Sequence, residues 1–192
     1  MKQLPMHVIG NSFFILFVLI ISCNKSDSDD FGFTNVYMPQ AAMRDGGRTN
    51  NYQVPWSTTN GTKNYSVDSV ANSINVVLGV YRAGIQDSNG FSVDVVTKND
   101  TANLLISNGT LTNAVLLPAD IYTLPASVTV PAGQRELTFY LKVDRKKLIE
   151  KYTAFSGKRL ILAVGITNPS HYELNQSLST TIIILDSKTF MP

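Results

Sequence analysis

Apolar and polar residues alternate in short bursts over most of the chain beyond residue 32, the period-two pattern of strands with one buried face. Ile74, Val76, Leu78 and Val80 alternate with Asn75, Val77, Gly79 and Tyr81. Phe91, Val93 and Val95 alternate with Ser92, Asp94 and Val96. The segment between them ends in Asn89-Gly90. That pair favours the positive φ angles of tight turns, so the two runs are expected to form a hairpin. Over residues 137–143, Leu137, Phe139, Leu141 and Val143 share one face, and Thr138, Tyr140 and Lys142 share the other. Further strands are predicted over residues 33–38, 127–130, 160–166 and 180–185, with Pro131-Ala132-Gly133 turning between two of them. Residues 39–68 are polar and Gly/Asn-rich, with extended pieces at 52–54 and 65–67.

Helical spacing is confined to two places. Asp100 can cap a short helix from Ala102 to Ile106, ended by Asn108-Gly109. Asp144 is a good N-cap for a helix reaching Tyr152, with Leu148, Ile149 and Tyr152 as its apolar patch. About seven strands at this spacing, with one or two short helices, predict an all-β, immunoglobulin-like β-sandwich. Its core should hold Val76, Leu78, Val80, Val93, Val95, Phe139, Leu141, Leu162, Val164 and Ile184 between two sheets.

The N-terminus is built differently. The apolar run 13–21 is nine residues long, whereas a helix spanning a bilayer needs about 20. Lys2 precedes it and small Ser22 follows, the layout of a secretory signal peptide. Ile20-Ile21-Ser22-Cys23 resembles a bacterial lipobox, which implies diacylation of Cys23 and cleavage before it. The polar stretch after Cys23 contains Asp27, Asp29 and Asp30 and reads as a flexible tether. A lipidated cysteine followed by acidic residues resembles the surface-export signal of Bacteroidetes lipoproteins. The expected organisation is a lipoprotein signal peptide (1–22), an acidic tether (23–31) and one sandwich domain (32–192). The implied location is the outer membrane, lipid-anchored and facing outward.

Composition removes several function classes. Losing residues 1–22 takes away only Lys2 of 16 basic residues, which leaves the charge close to the 14 acidic ones. A near-neutral balance lacks the basic face of a nucleic-acid binder. Cys23 is the sole cysteine, so disulfides within the chain are excluded. His171 is the one histidine past the leader, so no His-based zinc cluster is available, and no metal or cofactor is expected.

Several strings resemble a known module. They are Val36-Tyr37-Met38-Pro39-Gln40-Ala41, Leu78-Gly79-Val80-Tyr81-Arg82-Ala83-Gly84, Leu117-Pro118-Ala119-Asp120-Ile121-Tyr122, and the turn Val128-Thr129-Val130-Pro131-Ala132-Gly133. The module is the immunoglobulin-like N-terminal domain of unknown function of Bacteroidetes surface lipoproteins. There it often precedes glycoside-hydrolase-like or lectin-like domains. The resemblance implies a sandwich fold and a role beside outer-membrane protein partners.

Candidate chemistry is sparse. A glycosidase needs two carboxylates about 5–10 Å apart, and Glu136, Glu150 and Glu173 fall in unrelated segments. No G-x-S-x-G motif or phosphate-cradling loop accompanies His171. Trp56 lies near Tyr52, Asn51 and Asn60 in a polar region expected to be loop. An aromatic there can stack on a sugar while amides bond its hydroxyls. The competing reading is a Trp closing one end of the core. The basic run from Lys142 to Arg159 suits either an anionic glycan or a solvated helix face. Asp68-Ser69-Val70 and Asp100-Thr101-Ala102 resemble a Bacteroidetes O-glycosylation motif, which would modify Ser69 and Thr101. The reading is a non-enzymatic surface lipoprotein: a glycan-binding accessory of an outer-membrane nutrient-acquisition system. The alternatives are a structural or protein-interaction spacer and, less favoured, a glycoside hydrolase.

Overall fold

The computed structural model describes residues 34–42, 50–56, 63–84, 89–155 and 157–190. Among them run strands β1 (Asn35–Tyr37), β2 (Asn51–Val54), β3 (Tyr65–Asp68), β4 (Ser73–Arg82), β5 (Phe91–Thr97), β6 (Ala114–Leu116), β7 (Tyr122–Thr123), β8 (Ser127–Val130), β9 (Glu136–Asp144), β10 (Arg159–Thr167), β11 (Glu173–Leu174) and β12 (Thr180–Asp186). Helices are short: α1 (Asn99–Ser107), α2 (Arg145–Glu150), α3 (Tyr152–Phe155) and α4 (Ser187–Phe190). Single 3₁₀ turns occur at Pro39–Ala41 and Gln176–Leu178.

The strands make two six-stranded sheets, an immunoglobulin-like sandwich. The first runs β11-β1-β4-β9-β7, with β3 also on β4; the second runs β2-β12-β10-β5-β8, with β6 also on β10. Alternation predicted the inward residues well. Val76, Leu78, Val80, Val93, Phe139, Leu141, Leu162 and Val164 are buried between the sheets. Ile184 is buried too, but on the opposite face of its sheet. It joins Ile161, Ala163 and Ile182 in a second cluster with Ala102 of α1. Strands β10 and β12 are therefore apolar on both faces, and α1 covers the outer one.

The expected hairpin between the two alternating runs does not form. β4 pairs with β9 through nine residue pairs in the first sheet. β5 pairs with β10 and β8 in the second. Alternation fixes which side chains point inward but not which strand lies alongside, so the 84–90 segment bridges two sheets instead. At its start Gly84 has φ +100°, and a Cβ there would sit 2.9 Å from the Thr34 hydroxyl.

The strand count exceeds seven by five: the extended pieces at 52–54 and 65–67 are the strands β2 and β3, and β6, β7 and β11 hold only two or three residues, too few to show a period. α1 begins one residue before its predicted cap. Lys98 N–H is held by the Ala163 carbonyl at 2.9 Å, and Lys98 takes the cap position, leaving Asp100 in the first turn. The second helix starts as read: Asp144 Oδ1 accepts from Lys147 N–H at 3.0 Å.

Candidate functional site

The two outer faces of the sandwich differ. That of the second sheet is apolar beneath α1. That of the first carries the polar and aromatic half of each alternating strand. Register places Tyr37 opposite Tyr81, and Tyr81 opposite Glu136. The next pairs are Gly79 with Thr138, Val77 with Tyr140, and Asn75 with Lys142. Thr123 of β7 lies on the far side of Lys142. Directly opposed residues share a face, so these side chains form one surface. Tyr37 and Tyr81 make a tilted pair with ring centroids 5.3 Å apart. Tyr140 is 43% exposed. Tyr81 is four residues along β4 from the partner of Tyr140, roughly 14 Å at about 3.4 Å per residue. Between the aromatic positions Thr138 is exposed, and Gly79 opposite it is buried beside Pro39 and Gln40.

Beyond Tyr140 the surface dips into a cleft of about 310 Å³ lined by Asp68, Asn75, Asp120, Tyr122, Thr123, Lys142, Asp144 and Lys147. A second recess of about 360 Å³ shares Thr123 and Lys142 and is bounded by Leu124, Pro125, Phe139 and Tyr140. Every carboxylate of the cleft already has a protein partner. Asp68 Oδ1 accepts from the N–H groups of Val70 and Ala71 at 3.0 and 2.9 Å. Asp144 caps α2. Asp120 Oδ2 accepts from Lys151 Nζ at 2.8 Å, while its carbonyl accepts from Lys147 Nζ at 2.9 Å. The Lys151 hydrogen bond holds the Asp120 carboxyl below its usual range. A general acid for glycosidic cleavage needs the opposite displacement. Burial, then Tyr81 and Glu136, push the Tyr37 phenol up. Burial does the same for Tyr122, opposed by a hydrogen bond with Thr97. Among the described residues no group of three or more His, Cys, Asp or Glu could hold a metal. The surface offers ring faces for stacking and amide, hydroxyl and ammonium groups for hydrogen bonds.

Of the four residues expected to form a platform, Trp56, Tyr52 and Asn51 are described, and Tyr52 is turned into the core. Asn51 and Tyr52 belong to β2, paired in parallel with β12, rather than to a loop. Alternation turns Tyr52 into the core, where it is 4% exposed, while Asn51 faces out. Trp56 is half-buried after a cis Val54–Pro55 bond, and its N–H is held by Asn64 Oδ1 at 2.8 Å. Asn60 and Cys23 lie outside the described residues. Asn51 instead shares a polar cleft of about 470 Å³ with Thr101, Lys98, Gln176 and Ser177. Ser69 is exposed in the turn between β3 and β4, and Thr101 is exposed on α1. Of the glutamates, Glu136 begins β9, Glu150 pairs with Lys146 at 4.0 Å on α2, and Glu173 is in β11. The tyrosine surface is not legible from single strands, although Tyr81 and Tyr140 fall on the outward faces of their predicted strands. What was lacking was the β4–β9 pairing.

Residues 33–173 match the model of a family described as a "-like, N-terminal domain". The chain belongs to this N-terminal-domain family. A two-domain protein of unknown function from Bacteroides fragilis NCTC 9343 aligns with 100% of the chain and 51% of its own length, at 14% identity and a TM-score of 0.50. That likeness is one of fold. An auxiliary nutrient binding protein from Bacteroides thetaiotaomicron VPI-5482 aligns over 70% of the chain and 42% of its own, at 18% identity and a TM-score of 0.47. A Bacteroides ovatus structure of unknown function aligns over 81% and 52%, at 13% identity and 0.49. The chain thus spans between 42% and 52% of the length of these three structures. No curated protein matches the chain.

Proposed function

We propose that the chain is a non-enzymatic, lipid-anchored surface module that binds glycan on the outer face of its first sheet, as an accessory to an outer-membrane nutrient-acquisition system. The observation that carries this reading is the strip in which Tyr37 and Tyr81 at one end and Tyr140 at the other flank Gly79 and Thr138. Tyrosine rings give rigid contact area at low entropic cost. Asn75, Thr123 and Lys142 stand beside Tyr140 to bond hydroxyls. The carboxylates of the cleft are engaged in turns, caps and ion pairs, which suits binding better than acid–base work. Cys23 would supply the anchor and Asp27, Asp29 and Asp30 the export address, with Ser69 and Thr101 available for glycosylation.

A glycan array probed with the Cys23→Ala chain tests the reading. Binding is expected, and Tyr140→Ala and Tyr81→Ala should each weaken it at least tenfold with unchanged unfolding midpoints. Absence of binding across diverse glycans by the folded chain would refute it in favour of a spacer. Loss of lipid label in Cys23→Ala, and loss of protease accessibility on cells after replacing the three aspartates, test the anchor and the address separately.

A further inference from the structure

We propose that the cleft between α1, the 176–178 turn and the β2–β12 edge of the second sheet binds a sugar carrying one negative charge, with Lys98 as the counter-ion. The cleft lies on the outer face of the second sheet, away from the tyrosine strip, and does not depend on it. Its volume is about 470 Å³, within the range of about 300–1,000 Å³ typical of small-molecule sites.

The strands beneath Lys98 set its position. Its N–H bonds the Ala163 carbonyl at 2.9 Å, one step beyond the Thr97–Val164 pair, so the β5–β10 register carries on through it. Val95 points into the core, and alternation turns Val96 and Lys98 outward. Gly165 is likewise an outward position, between inward Val164 and Ile166, and it pairs with Thr180. A Cβ on Gly165 would lie 2.9 Å from Lys98 Cε and 3.3 Å from Thr180 Oγ1. The missing side chain is thus a slot. Through it the lysine stem crosses β10 and brings the ammonium to the Thr180 side, where Lys98 lines the cleft.

That charge is left unbalanced. Among the described residues the lysine ion pairs are those of Lys146, Lys147 and Lys151, and no Asp or Glu lines the cleft. Asp100, the nearest acid along the chain, is exposed. It stands two residues from the Ala102 that packs on the sheet, about 200° around the helix and so on the solvent side. No second cation lines the cleft among the described residues. One ammonium is a compact point charge, which balances a singly charged group rather than a phosphate near −2. The remaining lining suits a sugar. The Asn51 and Gln176 amides and the Thr101 and Thr180 hydroxyls can each donate and accept, while Leu105 and Ile182 give an apolar floor for ring C–H groups. A uronate and a sulfate ester present the same single charge on a polyol.

Titration of the Cys23→Ala chain with D-glucuronate, D-glucose 6-sulfate, D-glucose and inorganic sulfate at constant ionic strength tests the proposal. The amide NMR shifts of Thr101, Gly165 and Thr180 report occupancy. Intact mass first confirms that Thr101 is unmodified, because a glycan there would fill the cleft. Saturable shifts are expected with at least one of the charged sugars, at least tenfold tighter than with glucose or inorganic sulfate. The tighter of the two identifies the charged group. Lys98→Met keeps the stem over Gly165 and removes the charge, so it should abolish that preference with an unchanged unfolding midpoint. Equal affinity for charged and neutral sugar, no saturable shift with either charged sugar, or a preference that survives Lys98→Met would overturn the proposal. So would inorganic sulfate binding as tightly as the charged sugars, which would mean an adventitious ion only. Tyr81→Ala and Tyr140→Ala should leave these shifts unchanged, so failure here is separable from failure of the tyrosine strip as a glycan site.

Discussion

Asn64 joins the two sheets at one edge, and its replacement should loosen that edge in a way that separates donor from acceptor. Its carbonyl accepts from Val77 of β4 in the first sheet. Its side chain donates to the Gln53 carbonyl at 2.7 Å and accepts from Trp56 N–H at 2.8 Å, both beside the second sheet. Asn64→Ala keeps the backbone bond and removes both side-chain bonds. A typical bond contributes about 0.5–1.5 kcal/mol net, and a buried group left unpaired costs about 1–3 kcal/mol. The edge is part-buried, so water can reach one of the two stranded groups, and a total loss of about 2–4 kcal/mol is expected. Asn64→Asp keeps the acceptor for Trp56 but sets a carboxylate against the Gln53 carbonyl. That contact raises the pKa of the new carboxyl in the folded state. A raised folded pKa contributes stability that is full below the unfolded value and lost as pH rises through the folded one. Relative to wild type at each pH, Asn64→Asp should therefore gain stability as pH falls from 7 toward 4, while Asn64→Ala shows no such gain. Urea denaturation at several pH values measures this. A loss under 0.5 kcal/mol for Asn64→Ala, far below the range for stranded buried groups, or parallel pH profiles for the two variants, would refute the assigned bonds.

Phe139→Ala should cost about 3–5 kcal/mol, the usual range for emptying an aromatic core site. Phe139 also borders the β9 recess, which lets water enter and places the value at the low end; calorimetry showing under 1 kcal/mol would mean that its ring is not in the core. Asp144→Ala should cost about 1 kcal/mol through loss of the α2 cap, measured by chemical denaturation. Wild-type stability should fall as pH rises past about 10, the ordinary tyrosine pKa, because the raised Tyr37 pKa favours the neutral phenol in the folded state. Tyr37→Phe should flatten that fall, and equal alkaline slopes would count against the burial assigned to this ring.

The inward face of nearly every long strand was legible because alternation reports it directly. Pairing was not, since the same pattern in β4 fits β5 as well as β9, which lies more than fifty residues away. The outer surface shows the consequence. Val77, Gly79 and Tyr81 share the outer face of β4 and Thr138, Tyr140 and Lys142 that of β9, and only the β4–β9 register makes them neighbours. Tyr52 failed for a different reason. The extended piece at 52–54 is legible, but its partner β12 lies near residue 183 and nothing local announces that pairing. The order Asn51, Tyr52, Gln53, Val54 nevertheless carries the out–in alternation that buries the ring. Ile184 was assigned to the wrong core because the run Ile182-Ile183-Ile184-Leu185 is apolar on both faces, and such a run implies a covering element, here α1.

The parallel pairing of β2 with β12 also dictates when the fold can be completed. β12 is the strand shared by β2 and β10, and the Thr181 hydroxyl reaches back to the Asn50 carbonyl, 131 residues earlier. β1 has β4 on one side and gains β11 on the other only at Glu173 and Leu174. A chain made from its N-terminus thus holds β2 without its strand neighbour until β12 has emerged. Contacts this distant in sequence close slowly, in milliseconds to seconds for all-β domains. Timing is therefore written into the topology: β2 can join the second sheet only once β12 is there to bridge it to β10.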